Sequence, residues 1–272
     1  MLILSMAIML DFGLPATQAQ PPGATPQPTP HLATGFLYRQ VVFNGQTYAY
    51  TLFVPPDYTP SKRWPLILFL HGSGERGTDG FLPSEVGIGR AIRRHVDWCP
   101  AIVIMPQCRP GKIWDGAMLQ MALHCVNQTA SAYSLDPQRF YITGLSLGGA
   151  GTWQLGAELA GQVAAIAPVC GFVDQPRTPP SDERVLALAN RLREVPVWCF
   201  HGDADRNVSV EHSRRMAAAL RARGGNVRYT EYPGAPHAIW DRVYQDPKFW
   251  KWLLAQRRPQ PPRPQTPPAS QP

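Results

Sequence analysis

Most of this chain alternates short apolar runs with longer amphipathic stretches, a pattern that predicts strands and helices in turn. The apolar runs at 66–70, 101–105, 140–143, 163–169, 197–200 and 227–232 are of strand length. Between them, 87–96, 116–133, 148–159 and 210–223 carry helical spacing, and 247–256 reads as a closing helix. The stretch 210–223 is also punctuated like a helix: Ser209 as N-cap, Glu211 in the first turn, Gly224-Gly225 past its end. Strands that are apolar along their length suit a parallel sheet covered on both faces. Residues 36–53 differ. They are rich in aromatic and β-branched residues around Asn44-Gly45, a pair that tolerates positive φ and predicts a tight hairpin, and Pro55-Pro56 ends its second strand. The expected fold class is α/β: a mostly parallel central sheet with helices on both faces and an N-terminal antiparallel hairpin.

Length and composition sharpen this picture only at the ends. A chain of 272 residues can bury a substantial core and fits one α/β domain. Many of its 30 prolines crowd into residues 21–30 and 259–271, which lack the apolar groups needed to offset ordering. Residues 1–19 hold the apolar run MLILSMAIML followed by Ala16-Thr17-Gln18-Ala19, the features of a secretory signal, although a basic start is missing and Asp11 interrupts the run. The expected division is a signal at 1–19, a Pro-rich linker at 20–35, the catalytic domain at 36–256 and a Pro-rich tail at 257–272. A secreted or periplasmic location follows, with no membrane span because the apolar run is too short. The formal charge of +7 comes from scattered arginines, which reads as a solvated basic surface without a nucleic-acid partner. Cys99, Cys108, Cys125, Cys170 and Cys199 show no metal-ligand spacing, and their odd number leaves at least one thiol unpaired in a monomer. Packing or bridging roles are expected for them.

The chemistry gathers at predicted strand ends. Gly144-Leu145-Ser146-Leu147-Gly148 lies between the strand at 140–143 and the helix that follows. A serine on so sharp a turn needs small neighbours two positions before and after it, because the chain comes too close there for side chains. A serine nucleophile needs a base, and the base an orienting carboxylate, in the chain order Ser, acid, His. Asp205, in His201-Gly202-Asp203-Ala204-Asp205, and His237, in Gly234-Ala235-Pro236-His237, both follow successive strands. Asp203 is the nearer rival but reads as a turn residue, and Asp174 follows the strand at 163–169. His95, His124 and His212 sit in helical patterns, whereas His71 and His201 precede glycines at strand ends and suit structural hydrogen bonds. An oxyanion hole would use the Leu147 amide and an amide of His71-Gly72-Ser73-Gly74, for which Ser73 is favoured.

With those residues placed, the chain resembles the α/β-hydrolases of the phospholipase/carboxylesterase and dienelactone-hydrolase-like branch, akin to feruloyl-esterase-like and depolymerase-like secreted esterases. The likeness runs from about Phe36 to Gln256, through LILFLHGSGERG, RFYITGLSLGGAGTW, VWCFHGDADRNVSVEHS and YPGAPHAIWD. It implies a Ser146, Asp205 and His237 triad, oxyanion amides of Ser73 and Leu147, and cleavage of carboxylic esters through an acyl-enzyme without metal or organic cofactor. One departure stands out: Arg206-Asn207 replace the short apolar pair usual after the acid, giving a more polar rim. The same branch includes peptidases of the prolyl-oligopeptidase-like type, but no propeller pattern occurs in these residues. A non-catalytic carbohydrate- or surface-binding protein on this fold would have lost a triad member, and none is lost. Trp114 and Trp240 lie near predicted strand-end loops and are candidates for contacting a small-molecule or polymer-linked ester, whereas Trp153 reads as core. No apolar insertion of lid size separates the strands.

Overall fold

A computed structural model describes residues 33–258. The expected signal, nearly all of the linker and residues 259–272 of the tail lie outside the described residues. At the centre is an eight-stranded sheet in the order β1-β2-β4-β3-β5-β6-β7-β8. Strands β1 (Gly35–Phe43) and β2 (Gln46–Val54) form the antiparallel hairpin, with Phe43 opposite Gln46. Asn44 and Gly45 turn it at φ 49° and 73°, the positive pair that a two-residue loop demands. Strand β2 lies antiparallel on β4 (Ile102–Pro106). The strands β3 (Trp64–Leu70), β4, β5 (Leu135–Leu145), β6 (Ala165–Val169), β7 (Val197–Gly202) and β8 (Val227–Tyr232) run parallel.

All residues of β3, β4, β6 and β7 are buried, which explains why their sequences do not alternate. Both faces are covered, so successive side chains enter two different cores. Leu66, Leu68 and Leu70 join a core closed by α2 (Gly116–Ala132), α3 (Leu147–Glu158), α4 (Asp182–Leu192) and α5 (Glu211–Arg221). Ile67 and Phe69 join the opposite core, closed by α1 (Ile88–Arg94), α6 (Trp240–Tyr244) and α7 (Pro247–Ala255). All five cysteines are unbridged and buried, so they serve as packing.

Departures from the expected elements are local. Helix α4 was not expected, although Val185, Leu188, Ala189 and Leu192 form its buried stripe and Ser181 Oγ caps it from the Arg184 N–H at 3.4 Å. The five-residue α6 is too short to carry a legible period. Helix α5 starts one residue later than its expected cap implies, and Ser209 Oγ accepts from the Glu211 N–H at 3.4 Å. Residues 257 and 258 belong to the fold rather than the tail. The Arg258 N–H donates to Gln138 O at 2.9 Å, and the Arg257 guanidinium reaches Asp136 at 3.4 Å.

Beneath the end of β5, Thr143 Oγ1 gives its only proton to Ala167 O at 2.6 Å. The fully buried Tyr244 hydroxyl, 2.9 Å away, therefore donates to Thr143 and ties α6 to the sheet. Tyr244→Phe should cost about 1 kcal/mol, the usual net worth of such a bond. A urea unfolding midpoint that falls at constant slope would register the loss.

Candidate active site

Strand β5 ends at Leu145 and α3 begins at Leu147, leaving Ser146 alone in the turn at φ 53° and ψ −114°. Few non-glycine residues adopt such a backbone, and its cost is of order 1–3 kcal/mol. The surroundings enforce it. Ser146 N–H donates to Val169 O of β6 at 2.9 Å. A Cβ on Gly148 would stand 1.8 Å from Leu70 O, and one on Gly144 would stand 2.5 Å from Gly148 O. Glycine at both positions lets α3 start directly against β3 and presents the serine above the sheet.

Three chain segments meet at that serine. Ser146 Oγ lies 2.8 Å from His237 Nε2, and His237 Nδ1 lies 2.6 Å from Asp205 Oδ2. This is the hydrogen-bond geometry of a nucleophile, a base and an orienting carboxylate. The Asp205 side chain is fully buried, and its other oxygen accepts from the Asn207 and Val208 N–H groups at 2.8 and 2.9 Å. Burial pushes this carboxyl up, but hydrogen bonds from His201, His237 and the Val208 amide outweigh it and hold the group well below the usual carboxylate range. Asp203 instead accepts from the Gly234 N–H at 2.6 Å, and exposed Asp174 accepts from the Ser181 N–H at 3.3 Å. Neither is hydrogen-bonded to His237, whose Nδ1 meets Asp205. Three further histidines are occupied elsewhere: His95 stacks on Trp98, His124 meets Phe43, and His212 bonds the backbone of Val173 and Gln175.

Ser73 opens a 3-10 turn, Ser73–Glu75, while Leu147 opens α3, so neither amide has an acceptor within its own helix. Both residues line one cleft with Ser146 and His237. The Ser73 loop is stitched to residues 107–114. His71 Nδ1 donates to Gly72 O at 2.6 Å, and its Nε2 accepts from the Cys108 N–H at 3.0 Å. Trp114 Nε1 donates to His71 O at 2.9 Å, and Gln107 Nε2 donates to Glu75 O at 3.0 Å. Arg76 clamps the loop from outside, giving bonds to Ser73 O at 2.9 Å and Lys112 O at 3.2 Å.

The cleft measures ≈ 1020 Å³ and mixes Ile113, Phe172 and Val208 with Arg76, Arg177 and Asn207. Neither tryptophan expected to contact substrate is among its lining residues. Trp114 is buried behind the Ser73 loop, and Trp240 packs edge-on against the His237 ring at 5.7 Å. Trp114 lies between β4 and α2 and Trp240 opens α6; the direction of their side chains follows from packing. Asn207, part of the departure after Asp205, both lines the cleft and donates to that carboxylate. Sequence reasoning singled out neither Gln107 nor Arg76, since no motif spacing distinguishes them.

Residues 110–247 match the dienelactone hydrolase family. The chain belongs to that family. Its likeness to the crystal structure of a thermostable esterase has a TM-score of 0.73 at 33% identity, covering 82% of this chain and 63% of the other. An uncharacterized secreted protein of Arthroderma benhamiae is 25% identical over 228 residues, 71% of this chain and 24% of that protein. A bifunctional acetylxylan esterase/xylanase of Neocallimastix patriciarum is 25% identical over 158 residues, 57% and 21% of the two chains. This dienelactone hydrolase family member therefore spans about a quarter or less of the length of those two relatives. Among the described residues, no helix is long and apolar enough to cross a membrane.

The fully buried His71 gives this site a pH dependence of its own. Burial, opposed by the bond to Gly72 O, lowers it from 6.5 to about 4. Above the ordinary histidine value, folded and unfolded chains both hold the neutral ring. Below it, the unfolded chain takes up a proton that the folded chain refuses, so stability falls with falling pH until about pH 4. Between pH 6.5 and pH 5 the His71 share of that loss should be about 2 kcal/mol. Urea unfolding of wild type and His71→Gln at pH 7 and pH 5 checks this: the variant should lose measurably less.

Proposed function

We propose that the chain is a serine esterase that cleaves carboxylic esters in two acyl-transfer steps. The observation that carries this reading is the continuous relay from Ser146 Oγ through His237 to Asp205, at 2.8 and 2.6 Å. His237 takes the Ser146 proton as Oγ attacks the ester carbonyl, and Asp205 stabilises the imidazolium that forms. The tetrahedral oxyanion is met by the amides of Ser73 and Leu147, helix-start donors whose residues line the cleft beside the serine. His237 then protonates the departing alkoxide, leaving the acyl group on Ser146. Water repeats the sequence and releases the acid.

The open cleft with its mixed lining suits soluble esters or acyl groups on a polymer, since the alcohol portion can extend into solvent. An acetylxylan esterase among the relatives supports a polymer-linked substrate, and a secreted protein among them supports action outside the cell or in the periplasm.

Two comparisons test this reading. Ser146→Ala should keep the fold and lower kcat by about 10⁶ on a simple aryl ester, whereas near-normal hydrolysis by the folded variant would end the nucleophile assignment. Asp205→Asn should lower kcat by about 10⁴, with Asp203→Asn and Asp174→Asn costing far less. A crippled Asp174→Asn enzyme beside a healthy Asp205→Asn enzyme would move the acid to another strand. An amide carrying the same acyl group, assayed in parallel, separates esterase from peptidase activity.

A further inference from the structure

The relay needs one histidine, yet two contact its carboxylate. His201 lies in β7, four residues before Asp205, with a fully buried side chain. Its Nε2 is 3.1 Å from Asp205 Oδ2 and 3.2 Å from Val208 O, both of them acceptors, so the proton sits on Nε2 and is shared between them. In the neutral ring Nδ1 is then a lone pair, and it accepts from the Ser213 hydroxyl of α5 at 2.8 Å. Ser213 is itself buried. Hydrogen bonding therefore runs from Ser213 to His201 to Asp205 Oδ2, the same oxygen that meets His237.

Resting on the esterase reading above, we infer that His201 is a positioning residue for the reaction, holding Asp205 Oδ2 where His237 can use it. A carboxylate fixed through one oxygen can still swing the other about its Cβ–Cγ bond. Here the Asn207 and Val208 amides hold Oδ1, and His201 gives Oδ2 a second hydrogen bond beside the one to His237. The other charged groups around His201 are spoken for. Glu231 is in register with it on β8 but is gripped by Arg214 at 2.7 and 2.9 Å. His212, the next residue to Ser213, bonds Gln175 O and the Val173 amide. Among the described residues, Asp205 is thus the one carboxylate that His201 hydrogen-bonds. The sequence HGDAD places the two residues four apart, one on the end of β7 and one in the turn beyond it, and burial forces them to satisfy each other.

The test is kcat per active site, counted by the burst of released alcohol as Ser146 is acylated by an activated aryl ester. His201→Leu removes the donor and should lower kcat by about 10- to 100-fold with KM little changed, the scale set by small misplacements of a catalytic group. His201→Gln can donate to Asp205 and accept from Ser213, and should restore most of that loss. Ser213→Ala removes the bond that steadies the ring at Nδ1 and should give an intermediate kcat. The far-downfield proton resonance of the short His237–Asp205 bond should move in His201→Leu and Ser213→Ala and return towards its wild-type position in His201→Gln. A purely structural role would lower the number of titratable sites while leaving kcat per site and that resonance unchanged, and this result overturns the inference. If His201→Leu does not fold, an unchanged kcat and resonance in Ser213→Ala overturns it equally. A wild-type protein with no burst would instead refute the esterase reading.

Discussion

The contact between Gly148 and the end of β3 is the constraint on which the site depends. Helix α3 can start where it does only because its second residue has no side chain to strike Leu70 O. That approach forces the turn at Ser146 into positive φ, and the Ser146 amide bond to Val169 O locks it there. The parallel strands β3, β5 and β6 thereby end at one level, with His71, Ser146 and Cys170 following them. The strain is local and small beside the packing of two cores, whose fully buried side chains each contribute roughly 1.5–3 kcal/mol before entropy is counted. A stable sheet can therefore hold an unfavourable turn at its functional edge.

Around that edge the structure solves a second problem, the burial of polar groups. Asp205 is a buried carboxylate, which would be costly if any of its lone pairs were left empty. Four donors from three sources meet it: two amides of its own loop, His201 of β7 and His237 of the loop after β8. His71 answers the same demand on the opposite side of the serine, with each ring nitrogen engaged by backbone. The proposed base and the proposed oxyanion loop are thus both held by bonds that never contact the substrate. Preorganisation of this kind removes reorganisation from the moment of reaction.

The predicted architecture was legible because two-sided burial leaves a plain mark: short runs such as Leu66–Leu70 apolar at every position. The hairpin was legible because Asn44-Gly45 answers a steric demand on φ within two residues. Helix α4 escaped notice although Ser181 caps it, since its stripe is short and follows the proline-rich stretch 176–180. Arg257 and Arg258 read as tail because their bonds go to Asp136 and Gln138, over a hundred residues away in the chain.

The order of chemistry was equally local. Gly144, Ser146 and Gly148 announce a tight turn by spacing alone, and Asp205 and His237 fall after strands that periodicity had already placed. What spacing cannot encode is the direction of a side chain once elements pack. Of the two tryptophans that the sequence offers for substrate, Trp114 turns behind the Ser73 loop and Trp240 flanks His237. His201 reads from the sequence as a structural histidine, and only the packing of α5 against β7 brings Ser213 onto its second ring nitrogen while the first meets Asp205. Backbone demands act over a few neighbouring residues, so the chain by itself determined its strands, its turns and the positions of Ser146, Asp205 and His237. Hydrogen bonds between distant segments depend on how those segments pack, so only the tertiary structure decided which groups Asp205, His71 and the two tryptophans would meet.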